Sequence, residues 1–92
     1  MATMEEAEQL ALTLDAHLVA LGDAAYATQT LDAFNDSLYD FRADGDLEAH
    51  VQRVQELLAE AVARPAAPNA NRRQPPAEGP LARSWRSMFS SG

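Results

Sequence analysis

Ninety-two residues hold one small domain, and a chain of this size buries only about two-thirds of its unfolded surface, so no second, catalytic domain is expected within them. There is no cysteine, which removes disulfides, thiolate nucleophiles, iron–sulfur clusters and cysteine-based zinc sites at once. The net charge of −7 is unevenly laid out: residues 1–63 carry thirteen Asp or Glu against Arg42 and Arg53, a balance of −11, whereas residues 64–92 carry five Arg against Glu78, a balance of +4. An acidic body with a basic tail points to interaction rather than catalysis.

No apolar run approaches the length needed to span a bilayer, and the opening MATMEEAEQL is acidic where a secretory leader is basic, so the cytoplasm is the expected compartment. Every basic residue is arginine, lysine and isoleucine are absent and alanine is abundant, as a GC-rich bacterial or phage coding sequence would give.

The first helix is expected to start at TMEE (3–6), where the Thr3 hydroxyl can accept from the Glu6 amide in a capping box. Ala7, Leu10, Ala11, Leu14, Leu18 and Leu21 follow at helical spacing, and Gly22 supplies the left-handed residue that ends the helix. Leu12, Ala16 and Val19 form a second stripe, which predicts neighbours on two sides, within the bundle or in a homo-oligomer. Asp23 is placed to cap a second helix with a seam of Ala24, Ala27, Leu31, Phe34, Leu38 and Phe41, although the poor helix formers in ATQT (27–30) allow a later start at Thr28 or Thr30. Gly45 ends it. Asp44 or Asp46 then opens a third helix carrying Leu47, Val51, Val54, Leu58 and Ala61, flanked by His50, Leu57 and Val62, which Arg64–Pro65 stops.

Residues 65–79, PAAPNANRRQPPAEG, contain no large apolar side chain and read as a disordered linker. Beyond it, Pro80 suits a first helical position, and Leu81, Trp85, Met88 and Phe89 fall on one face with Arg83 and Arg86 beside them. A basic amphipathic helix of about ten residues orders only when docked. Three surfaces can receive it: a membrane, disfavoured by the acidic body; the chain's own bundle, as a fourth helix; or a groove on another protein, where Trp and Arg are preferred anchors.

Asp32, Asp36 and Asp40 lie at i, i+4 and i+8, a like-charge stripe that is either a solvated face or a nucleic-acid mimic. DFRADGDLE (40–48) fails as a calcium loop, because Arg42 and Val51 stand at ligand positions. Asp36-Ser37-Leu38 resembles the prosthetic-group attachment triplet of acyl carrier proteins, a small acidic helical family. That resemblance covers only these residues and implies a carrier-type protein modified at Ser37; in that family the serine opens a helix after a loop, whereas here it stands inside the Leu31–Phe41 seam. His17 and His50, on different helices, read as boundary residues, and nothing in the sequence pairs a nucleophile with a base.

The expected architecture is all-α: a three-helix acidic bundle over residues 1–64, the linker over 65–79, and a C-terminal amphipathic helix over 80–92. The expected function is a non-enzymatic protein–protein interaction module, an adaptor, accessory subunit or assembly factor, docking on a larger partner through Leu81, Arg83, Trp85, Arg86, Met88 and Phe89. The layout is similar to cargo and assembly proteins that carry a terminal targeting peptide behind a proline-rich linker. A mimic acting through the acidic face is the alternative. No catalytic, cofactor or metal site, no direct nucleic-acid contact and no stable membrane anchoring are expected.

Overall fold

In the computed structural model, which describes residues 2–65 and 79–89, the chain is all-helical: α1 (Met4–Leu21), α2 (Ala24–Asp44), α3 (Leu47–Ala63) and α4 (Pro80–Phe89). The greater part of the predicted linker, and the last three residues of the predicted tail, lie outside the described residues. No helix among those described is long and apolar enough to cross a membrane.

Local chemistry sets the ends of the first three helices. Thr3 Oγ1 accepts from the Glu6 amide at 3.1 Å, Asp23 Oδ1 from the Tyr26 amide at 3.0 Å and Asp46 Oδ1 from the Ala49 amide at 3.1 Å, each satisfying a first-turn N–H that has no partner within its helix. Gly22 (φ 69°) and Gly45 (φ 73°) close α1 and α2 in the left-handed conformation that a side chain would oppose. The Asp23 cap decides where α2 begins: it starts at Ala24, not at Thr28 or Thr30, and Thr28 lies inside the helix with its hydroxyl donating to the Ala24 carbonyl. Asp46 rather than Asp44 caps α3, while Asp44 Oδ1 accepts from the Asp46 amide and fixes the turn.

Around the bundle the order is α1, α3, α2, α4. α1 and α2 touch little, α3 bridges them on one side and α4 on the other, so α3 and α4 are diagonal partners. The core comprises Ala7, Ala11, Leu14, Leu18 and Leu21 of α1, Phe34 and Leu38 of α2, Val51, Val54, Leu57 and Ala61 of α3, and Leu81, Ala82 and Trp85 of α4. On α2 the interior stripe runs through Thr30, Phe34 and Leu38, and Ala24 at the head of the expected seam is exposed. The second stripe of α1, Leu12, Ala16 and Val19, is only half-buried.

Two expectations need correction. His50 is not a boundary residue: it is 1% exposed and sits among aromatic rings in the centre of the bundle. Gly79 is not linker: its carbonyl accepts from the Arg83 amide at 3.0 Å, which makes it the residue on which α4 starts, and it is buried. The sequence places no side-chain cap there, and the missing cap comes from elsewhere in the fold.

Candidate functional site

A Gly-Pro start leaves the first amides of α4 without a local acceptor. Asp15, in the middle of α1, supplies one for each of two: its Oδ1 accepts from the Leu81 amide at 3.0 Å and its Oδ2 from the Ala82 amide at 2.9 Å. The carboxylate is 3% exposed, and it is held where a helix N-terminus offers both unpaired N–H groups and the positive end of the helix dipole. The approach demands glycine at the preceding position. A Cβ at Gly79 would stand 2.5 Å from Asp15 Cγ and 2.8 Å from Asp15 Cβ.

One turn further, Leu81 and Ala82 are fully buried and Trp85 is 3% exposed. The indole stacks on Phe41 of α2 (centroids 6.0 Å apart, 15° between planes) and on His50 of α3 (5.4 Å, 8°). Trp85 and His50 therefore join the two diagonal helices through the core, where the backbones do not approach. At the periphery Arg86 forms an ion pair with Glu8 of α1 at 2.9 Å; with side chains 51% and 33% exposed, this contact is worth little beyond steering α4 into place.

Of the six residues expected to bind a partner, the structure thus turns Leu81 and Trp85 into the chain's own core, sets Arg86 against Glu8, leaves Arg83 exposed and Met88 half-buried, and the Phe89 side chain lies outside those described. Met88 borders a shallow cleft of about 180 Å³ between α2 and α4, with Asn35, Leu38, Tyr39, Arg42, Ser84 and Ser87. Tyr39 in this cleft is 74% exposed.

The acidic stripe Asp32, Asp36 and Asp40 is exposed along α2, as drawn from the sequence. Asp36 and Asp40, with Asp44 and Asp46, line an open cleft of about 300 Å³ between α2 and α3 that also contains Ser37, Phe41, His50 and Arg53.

In that cleft the fold makes a pair that the sequence reading missed: Ser37 Oγ and His50 Nδ1 are 2.8 Å apart. Burial pushes His50 below the ordinary histidine value, and the Ser37 backbone opposes that shift without cancelling it. The pair is not assembled as a nucleophile and its base. Among the described residues no third group orients the imidazole, whose Nε2 is buried without a hydrogen-bond partner there, and Ser37 stands in a helix interior, where neighbouring amides are committed to helical bonds and cannot form an oxyanion hole. Ser37 stands inside α2 and half-buried, not at a helix start after a loop as in the carrier family. Among the described residues no three His, Asp or Glu side chains are grouped to hold a metal ion.

No protein-family model, curated protein or solved structure matches this chain.

Asp15 left a trace in the sequence. It is the one carboxylate within the apolar stripe Ala7, Ala11, Leu14, Leu18, and a charge at such a place is retained only with a partner. The uncapped Gly79-Pro80 was the other half of the signal.

Proposed function

We propose that the chain is a non-enzymatic interaction module, an adaptor, accessory subunit or assembly factor, whose C-terminal helix is the recognition element for a larger partner and is stored in the groove between α1 and α2. One observation carries this reading: α4 is bound as a helix-in-groove ligand, through an apolar face of Leu81, Ala82 and Trp85 and an anionic acceptor, Asp15, on its N-terminus. A ten-residue helix has little stability of its own, so every contact that orders it is a contact with its receptor, and a competing groove of the same chemistry can take it over. An aromatic anchor with flanking arginines is the composition expected of such a ligand.

The test is competition. A synthetic peptide of residues 79–92 should displace the full chain from its partner, and a chain ending at Arg64 should not bind. Retention of the partner by the truncated chain, with no competition from the peptide, would refute the tail and favour the second reading, an acidic mimic acting through the four-carboxylate cleft between α2 and α3. That mode would weaken steeply with salt, whereas docking of the Trp85 face would not.

A further inference from the structure

We infer that His50 is an acid-sensitive latch on α4: protonation of its imidazole releases the C-terminal helix from the groove while the three-helix body stays folded. This rests on the reading of α4 as the element that is released, but its test needs no partner.

The geometry places an ionisable ring where only the neutral form fits. His50 forms a cluster of three rings with Phe41, at 5.9 Å, and Trp85, at 5.4 Å, and makes a T-shaped contact with Phe34 at 5.3 Å. Its Nδ1 meets Ser37 Oγ, which is satisfied by a neutral ring. The charged ring must donate from both nitrogens, and Nε2 is buried without an acceptor among the described residues.

The surrounding charges do not solve this. On α2, Asp36, Asp40 and Asp44 line the cleft that His50 also lines, and on α3 Asp46 and Arg53 do so, yet none of these carboxylates bonds the ring; Asp46 caps α3 and Arg53 pairs with Glu56. On α1, Asp15 is bound to the α4 amides, Glu8 to Arg86, and His17 Nε2 lies against the Ala61 carbonyl. On α4 the charge beside Trp85 is Arg86, whose sign opposes a second cation.

Of the rings covering His50, Phe34 and Phe41 belong to α2, which is anchored by its own caps and by α3, whereas Trp85 belongs to a helix held only through tertiary contacts. Lifting α4 is therefore the route to hydration that disrupts least. The sign follows from burial: the released state protonates near the ordinary value of about 6.5 and the docked state at a lower pH, so release is favoured as pH falls below about 6.5 and saturates at the docked value.

The experiment is amide hydrogen exchange on the full chain between about pH 7.5 and 5, reading protection factors so that intrinsic exchange chemistry is divided out. The Leu81 and Ala82 amides, which Asp15 holds, should lose up to about tenfold in protection per pH unit below about 6.5, while Val54 and Leu57 in the core of α3 keep theirs. His50→Gln, neutral throughout, should abolish the response, and His50→Phe, which retains the stack, should do the same and guards against a misfolded first variant. Constant protection at Leu81 and Ala82 would overturn the latch. So would a parallel loss at Val54, which means global opening, or an unchanged response in the His50 variants, which assigns it to another group. A chain that passes this test and fails the peptide competition keeps its latch and loses the proposed function, so the two failures are distinguishable.

Discussion

Asp15→Asn asks whether α4 is held by a specific acceptor or only by apolar burial. The native carboxylate offers an oxygen to each of two buried amides, at 3.0 and 2.9 Å. Asparagine has nearly the same shape but a single oxygen. One amide keeps its acceptor, the other faces an NH2 group, and the charge at the positive helix end is lost. A hydrogen bond to a charged group contributes about 1.5–3 kcal/mol, and an orphaned buried N–H costs about 1–3 kcal/mol. Relief from desolvating the carboxylate returns part of this, because a buried charge is costly even when bound. The net expectation is a loss of about 2 kcal/mol, which for a domain of this size lowers Tm by roughly 8–16 °C. Thermal melts followed by far-UV circular dichroism and by emission from Trp85, the sole tryptophan, measure both quantities. The emission should also shift to the red before the main transition, because α4 lets go first. A loss below about 0.5 kcal/mol with unchanged emission would refute the reasoning, since it would mean that the apolar face alone fixes α4.

Trp85→Ala removes the ring that joins the diagonal helices and should destabilise the chain by about 3–5 kcal/mol in urea denaturation, more than any other single change in α4. Gly79→Ala, whose new methyl would overlap the Asp15 carboxylate, should cost about 1–3 kcal/mol and expose Trp85 to quenchers; an unperturbed melt would show that α4 can shift away without loss. A chain ending at Arg64 lacks the rings and aliphatic groups that cover the α1–α2 groove and should bind a hydrophobic dye that the full chain does not. Asp23, held below its ordinary value by the Tyr26 amide and by Arg64, contributes stability above about pH 3.8 that is lost as pH falls through its depressed value; Asp23→Asn should flatten the acid limb of stability against pH.

Local chemistry was enough to write the helices. A cap acts within one turn and apolar periodicity repeats within two, so Thr3, Gly22, Asp23, Gly45 and the stop at Arg64–Pro65 are legible from neighbours in the chain. The face of the C-terminal helix was equally plain, because Leu81, Trp85 and Met88 share it under any docking arrangement. What covers that face was not legible. An amphipathic pattern states that a surface must be buried and carries no information about its receptor, so a groove on the same chain and a groove on another satisfy it alike. Only the packing of α4 between α1 and α2 set Trp85 on His50, and only the packing of α2 on α3 paired that histidine with Ser37 thirteen residues away; together they put it in the core and not at the expected boundary. Asp15 and Gly79 show the same division most clearly. In sequence they are a solitary acid on an apolar stripe and a glycine at the end of a linker; the contact that explains both spans more than sixty residues, beyond the reach of any cap rule, and exists only once the helices have packed.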